Sequence, residues 1–417
     1  MSLVAEKAAP AAHLLHHSSE TGERRPSPRA LKETVRQLLP ELRRRAESAE
    51  RLRQVPAENL SALREAGLYR VVQPRKFGGH EYDFDLLVDL VIDIAGACPS
   101  TGWVYGLYAA HQWLVASFPL EAQHDVFDDD PDAAVCGSYA PAAKAIATDG
   151  GFVISGRWSF ASGCDGAQWA VCAALLPPAA DGAARGPAFL LVPAADYRIE
   201  DTWHVSGLAG TGSKTLLLAD VFVPAHRVLT FRETTSGRTP GSRVYQNPGF
   251  AIPMLCNIPS CLAATAVGAA AGALEAYIEA TSNRVTRGAV AGANARMAEF
   301  PTIQLRVAEA AASVDAAREV LLRDLRARVQ AVRDGVEVTV DDRILSRRGQ
   351  AFAVSLALRA AEALNASTGG QGLALSNPVQ RAWRDANAVG RHISLNWDAV
   401  GTMVGQQVLG LEPKGQY

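Results

Sequence analysis

The sequence predicts a mainly α-helical protein with a β domain in its middle. Three observations carry this. Apolar residues recur at helical spacing before position 133 and again beyond 250. Between Ala134 and Leu229 the period falls to two. Turn clusters such as Asp149-Gly150-Gly151 and Asp181-Gly182 punctuate that middle stretch. The expected organisation is a disordered tail over 1–27, a helical domain over 28–133 and a β domain (barrel or sandwich) over 134–230. A polar linker over 231–250 and a helical bundle over 251–417 complete it.

Each element has its own signal. Residues 1–27 are rich in Ala, His, Ser and Pro without periodicity, as a solvated tail requires. A helix is predicted from Ser27-Pro28 to about Arg53, with Leu31, Val35, Leu38, Leu39 and Leu42 at helical spacing. Others are predicted from Pro56 to Gly67 and from Asp83 to about Ala97. Cys98-Pro99-Ser100-Thr101-Gly102 opens a further helix, Trp103–Phe118, that has no formal charge. Strands are predicted over 134–139, 145–160, 168–176, 187–193, 197–203 and 214–223. Helices return over about 254–286, 306–328, 341–366 and 376–408. The last two are separated by Thr368-Gly369-Gly370-Gln371-Gly372.

Composition excludes several classes of function. The 417 residues are 48% hydrophobic and 20% charged with a net charge of −2, an ordinary soluble composition with no basic stripe for nucleic acid. The six cysteines show no CxxC or Cys/His spacing, so reduced thiols are expected and no metal site. The uncharged stretches Ile94–Leu120 and Val244–Leu274 contain prolines and small polar residues, which favours buried helices over membrane spans. No secretory h-region opens the chain, and a cytoplasmic location is expected.

The stretch that points to chemistry is Gly151–Asp165, GFVISGRWSFASGCD, with Cys136–Pro141 just before it. Trp158, Ser159, Phe160 and Ser162 form an aromatic-and-hydroxyl ledge suited to a flat heteroaromatic ring, with Ser138 and Tyr139 alongside. The plainer alternative is a sandwich strand ending in a tight turn. His111, in the uncharged helix, is either a hydrogen-bonded core residue or a catalytic base. The Gly/Ser/Thr-rich segment Trp203–Thr215 lacks Walker spacing and reads as a plain connection or as a loop over a ligand edge.

The order of elements, with several landmarks, resembles the acyl-CoA dehydrogenase superfamily. The landmarks are Leu63–Leu68 with Gly78-Gly79, Asp220-Val221-Phe222-Val223-Pro224, Arg284 with Phe300 and Gln304, and Gly369-Gly370-Gln371-Gly372 with Arg384-Asp385-Ala386. The resemblance implies an N-terminal helical domain, a central β domain and a C-terminal four-helix bundle around a flavin. Pro99–Val104 with His111-Gln112-Trp113, Ser138–Pro141, Trp158–Asp165 and His392 are similar to one branch, the oxygenase components of two-component flavin-dependent monooxygenases. The base expected of a dehydrogenase is missing: the neighbourhood reads Arg391-His392-Ile393-Ser394, and Asp398 follows several residues too late.

That likeness implies reduced FMN, with FAD as the other candidate, and O2 reacting through a C4a-hydroperoxide to hydroxylate an aromatic or polycyclic substrate. It implies a separate NAD(P)H:flavin reductase, since no GxGxxG unit is present, and a homotetramer. By the same likeness Ser162 meets the flavin edge, His111 and His392 converge on the substrate, and Arg284, Gly370 and Gln371 belong to the cofactor site. An amino-sugar N-oxygenase and an FAD-dependent acyl-CoA dehydrogenase or oxidase are the alternatives. The departure at Ala161 removes a hydroxyl expected near the flavin N5 and bears on the hydroperoxide contact, whereas those at Gly166 and Ala209 suggest a substrate unlike simple phenols.

Overall fold

A computed structural model describes residues 25–179, 181–285 and 295–417. The expected tail therefore lies, up to residue 24, outside the described residues. The first helices are α1 (Pro28–Leu52), α2 (Ala57–Glu65), α3 (Phe84–Ala97), α4 (Pro99–Val115) and α5 (Leu120–Phe127). Ser27 caps α1 by accepting from the Ala30 N–H at 3.1 Å, and Pro28 follows at the first helical position, where a missing N–H costs nothing. Both α3 and α4 are buried on nearly all sides, which is why they read as apolar without a polar face. On α3 the buried Asp89 is compensated by Lys32 of α1 and by Arg318 of the bundle.

The middle of the chain forms β1 (Val135–Lys144), β2 (Ile146–Thr148), β3 (Gly151–Ala161), β4 (Trp169–Leu175) and β5 (Pro187–Pro193). It ends with β6 (Arg198–Glu200), β7 (Lys214–Pro224) and β8 (Val228–Thr230). They make two four-stranded sheets, in the orders β1-β4-β5-β8 and β2-β3-β7-β6. The expected single strand over 145–160 is a hairpin, because Asp149-Gly150 turns the chain at a Gly150 φ of 74°. Trp158 bridges the sheets: its ring is fully buried and its N–H donates to the Ala173 carbonyl of β4 at 2.7 Å.

Residues 231–250, expected as a polar linker, carry the short helix α6 (Phe231–Ser236) and bury Thr234, Thr239, Gly241 and Phe250. Beyond them lie α7 (Met254–Ser282), α8 (Pro301–Arg333), α9 (Val340–Ala366), α10 (Pro378–Gly390) and α11 (Trp397–Val408). Among the described residues α7 alone has the length and apolarity of a membrane span, yet 89% of its most apolar window is buried in the protein. The single helix expected over 376–408 is broken at 391–396. Asn396 caps the new helix by accepting from Ala399 N–H at 3.1 Å. That break carries His392.

Because Trp158 fills the space between the sheets, Trp158→Ala should cost about 3–5 kcal/mol, the range for a buried aromatic, read by urea unfolding. Trp158→Phe should fold and keep its flavin affinity.

Candidate active site

The ledge is built by a break in strand register. β3 pairs with β7 with one register shift between Ile154 and Gly156 and a second between Trp158 and Ala161. Within the second shift Phe160 takes a φ of 64°, an unusual conformation for a bulky residue. A strict alternation puts Trp158 and Phe160 on one face. The break separates them instead, leaving Trp158 0% exposed and Phe160 70% exposed, edge-on to Trp203. Trp158 is thus a core residue and not part of the ledge, which corrects its assignment to the cofactor. Ser138 does not face outward either: it is buried, and its hydroxyl donates to the Ser159 carbonyl at 2.7 Å, propping the irregular turn from behind.

The turn after the break is fastened on two sides. The Gly163 N–H donates to the Thr211 carbonyl at 2.8 Å, and the Gly163 carbonyl accepts from the Tyr108 hydroxyl of α4. Gly163 has a φ of 73°, and a Cβ there would lie 2.8 Å from Val104 and 2.9 Å from the Tyr108 oxygen, so only glycine fits.

Ser162 sits inside this clasp and is buried. Its oxygen accepts from the Trp103 indole N–H at 2.9 Å and lies 2.7 Å from Ser213 Oγ. Ser213 Oγ is in turn 2.7 Å from Thr211 Oγ1, which donates to the Leu208 carbonyl at 2.8 Å. A carbonyl only accepts, so the order of protons is fixed: Ser162 donates to Ser213, Ser213 to Thr211, Thr211 to Leu208. Ser162 has spent its proton inward, and its remaining lone pair can receive an N–H or O–H from a ligand. Leu208 is itself in the left-handed region, φ 53°, and its N–H is held at 2.6 Å by Asp385 of α10. Burial raises the Asp385 carboxyl to about 6.

His111 lies on α4 and is fully buried. Its Nδ1 faces the Val135 carbonyl at 2.5 Å, so Nδ1 carries the proton, and Nε2 accepts from the Tyr139 hydroxyl at 2.7 Å. A ligand arriving at this pair meets Tyr139, not the imidazole. Tyr139, expected beside the cofactor, is the outer member of a tyrosine–histidine pair packed on Phe189. Burial keeps both neutral: it lowers His111 to about 4 and raises the Tyr139 hydroxyl.

His392 is in the turn between α10 and α11, its ring edge-on to Trp103 with centroids 5.9 Å apart. Its Nδ1 accepts the Ser394 N–H at 3.2 Å, so the neutral ring carries its proton on Nε2. Burial, then the charge of Arg347, lowers it to about 4. Trp103 thus joins Ser162 to His392. His111 stands eight residues further along the same helix, about 12 Å away at 1.5 Å per residue.

Arg284, Gly370 and Gln371 form a second, separate group. Arg284 donates to the Thr368 carbonyl at 3.1 Å, beside the exposed Gly370 and Gln371. Among the described residues no hydrogen bond joins them to the Ser162 cluster. Asp398, the carboxylate nearest in sequence to the place of a dehydrogenase base, is exposed on the first turn of α11. Thr211 and Ser213 were marked only through the Trp203–Thr215 segment, and Trp103 and Asp385 only as members of landmarks (Pro99–Val104 and the Arg384-Asp385 pair), with no site role assigned to any of them from the sequence. A surface concavity of about 550 Å³ lined in part by Arg64, Glu65, Arg70, His80 and Asp132 lies by the first helices, and its arginines pair within the protein (Arg70 with Asp132, Arg64 with Asp130).

The chain is similar to known proteins over most of its length. Residues 25–126 match the family model of the acyl-CoA dehydrogenase N-terminal domain, and residues 260–397 that of an acyl-CoA dehydrogenase C-terminal domain. The oxygenase component of an FADH2-dependent resorcinol hydroxylase from Rhizobium sp. (strain MTP-10005) is 65% identical over 378 residues, 89% of this chain and 92% of the relative. The crystal structure of 3-HSA hydroxylase from Rhodococcus sp. RHA1 superposes with a TM-score of 0.87 at 36% identity, covering 93% of this chain and 98% of the other. XiaF from Streptomyces sp., solved with FADH2 and glycerol, gives 0.84 at 30% identity, with 93% and 97% covered. The chain belongs to the acyl-CoA dehydrogenase superfamily. Within it the protein is the oxygenase component of a reduced-flavin-dependent monooxygenase, a hydroxylase and not a dehydrogenase.

Because the folded pKa of His111 lies below its unfolded value, the unfolded chain alone takes up this proton between pH 6.5 and about 4. Stability therefore falls as pH drops through that window. His111→Gln should remove about 1.4 kcal/mol per pH unit of that slope, measured by urea unfolding across the window.

Proposed function

We propose that this oxygenase hydroxylates a small monocyclic phenol of the resorcinol type, with FADH2 from a separate NAD(P)H:flavin reductase. The observation that carries the reading is the proton order at Ser162. An outward lone pair on Ser162 matches a ring that presents an N–H at its edge, as reduced flavin does at N5 and oxidised flavin does not. The exposed face of Phe160, beside Ser159, supplies an apolar surface for such a ring. The group therefore fits these residues.

Bound reduced flavin supplies the electrons that activate O2 and allow one oxygen atom to reach the aromatic carbon. The protein's own part is positioning, exclusion of water and hydrogen bonding. Trp103, Tyr108 and Gly163 close the site from the α4 side and keep the Ser162 oxygen dry. Tyr139 can accept a hydrogen bond from a phenolic O–H, because its own proton is committed to His111 Nε2. That hydrogen bond leaves more electron density on the phenol oxygen, and the ring carbons ortho and para to it are then richer in electrons. His392, with its proton on Nε2, offers a hydrogen bond to an oxygen on the opposite side. Arg284, with Gly370 and Gln371, lies apart from Ser162 within one chain. In this reading it holds the flavin phosphates of a neighbouring subunit in a homotetramer working in the cytoplasm.

The 65% identity to the resorcinol hydroxylase component supports the small phenol over a polycyclic substrate. The test is oxygen uptake against product formed with reduced FAD, using resorcinol and a polycyclic phenol. Near-stoichiometric hydroxylation of resorcinol supports the reading. Oxygen consumed only as hydrogen peroxide with every phenol tried would overturn it.

Two substitutions probe the parts. Thr211→Val removes the acceptor that fixes the proton order without touching the ledge. It should reduce the preference for reduced over oxidised flavin by about tenfold, the worth of one hydrogen bond, read as the ratio of the two Kd values. Arg284→Met should weaken FAD binding by about tenfold or more and FMN less, by loss of a charge-assisted phosphate contact, read by fluorescence titration.

A further inference from the structure

The turn that carries His392 is gripped by a buried cation that has no carboxylate partner among the described residues. Arg347 of α9 is among the largest fully buried side chains. Burial lowers its pKa only to about 10, so it stays charged at neutral pH. Its hydrogen bonds go to neutral oxygens: the Gln416 carbonyl at 3.2 Å, the Gln350 side-chain oxygen and the Ser394 carbonyl. A buried guanidinium without a counter-ion is expensive, so its geometry must be held firmly.

The hold can be traced. Pro259 inside α7 has no N–H, which leaves the carbonyl of Leu255, four residues earlier, without its helical partner. The Gln350 amide donates to that carbonyl at 3.0 Å, to the Cys256 carbonyl at 3.2 Å and to Ser260 Oγ at 3.1 Å. This fixes the Gln350 oxygen toward Arg347. Arg347 then fixes the carbonyl of Ser394, and the N–H of that residue donates to His392 Nδ1.

We propose that Arg347 is a positioning residue that locks His392 as the neutral Nε2–H tautomer, so that His392 presents a hydrogen-bond donor, not a base. A nitrogen that accepts a backbone N–H cannot hold a proton, and a nearby buried cation opposes a second charge on the ring. Among the described residues Arg347 is the charged side chain acting on His392, and on the α4 side the ring packs against the neutral Trp103 indole. The use of that donor toward substrate or flavin rests on the proposed function, whereas the lock itself does not.

The test is nitrogen NMR of the full-length protein carrying ¹⁵N-histidine, with His392→Gln used to assign the signal. In the wild-type protein His392 should show the Nε2–H form alone from about pH 6 to about pH 8, across the range where an ordinary histidine titrates. Arg347→Met removes the grip. Ser394→Pro removes the donor N–H and keeps the backbone carbonyl that Arg347 holds. Each should shift the tautomer ratio by about fivefold or more toward Nδ1–H, the worth of one ordinary hydrogen bond. If Arg347→Met does not fold, Ser394→Pro decides alone. A wild-type His392 found as Nδ1–H or as a mixture overturns the lock, as does an unchanged signal in the variants that fold. If a His392→Gln enzyme hydroxylates normally, the functional reading of His392 fails and the tautomer result stands.

Discussion

The site depends on the break in register at the end of β3. Regular pairing with β7 would carry the chain straight on, with Trp158 and Phe160 on one side of the sheet. The shift before Ala161 instead lets one aromatic serve the core and the next serve the surface. Such a conformation at Phe160 costs on the order of 1–3 kcal/mol and needs support from its surroundings. Ser138 supports the backbone at Ser159, and the Trp158 indole pins the strand to the opposite sheet. The two sheets, packed through Trp158, are therefore what allows a strained ledge to exist.

The ledge alone would still leave the Ser162 hydroxyl free to rotate. Its orientation is settled farther away, at the Leu208 carbonyl, where the chain of hydroxyls ends in a group that only accepts. Leu208 holds its left-handed conformation against Asp385, and Arg384 adds a bond from the same helix to the Ser206 carbonyl at 2.6 Å. The close approach there is real: a Cβ on Gly207 would lie 2.3 Å from the Arg384 carbonyl oxygen. The bundle thus sets the direction of protons in a loop of the β domain. That is a reason for the Arg-Asp pair to belong to the site without touching a ligand.

Much of this was legible in the sequence, and the illegible part has a common cause. Helix positions followed from periodicity and caps, and the α–β–α order from the change of period. The ledge, both histidines and Ser162 were singled out because they are chemically conspicuous residues in short motifs. What failed was anything set by an irregularity. Alternation could not reveal a bulge, so Trp158 was grouped with its neighbours. A continuous apolar pattern concealed the break at 391–396 that makes His392 a turn residue. Proton directions were out of reach as well, because they depend on which carbonyl stands opposite each donor, and Val135, Leu208 and Ser394 act only through their backbones.

The two histidines show how a neutral site is kept neutral. Each has one nitrogen committed to the backbone, but to opposite ends of a peptide: His111 donates to a carbonyl, His392 accepts an N–H. The free nitrogen of the first is therefore an acceptor and that of the second a donor, although the residues are chemically identical. Formal charge stands one layer behind, on Arg347 and on the Asp385 carboxylate whenever it is ionised, and reaches the site through Ser394 and Leu208. In a dry interior this is the cheaper arrangement. A charge beside the reacting ring would have to be desolvated anew with each ligand, whereas one buried behind a peptide is desolvated once, on folding, and then holds donors and acceptors in place. Each of these side chains thus takes its direction from the backbone group behind it.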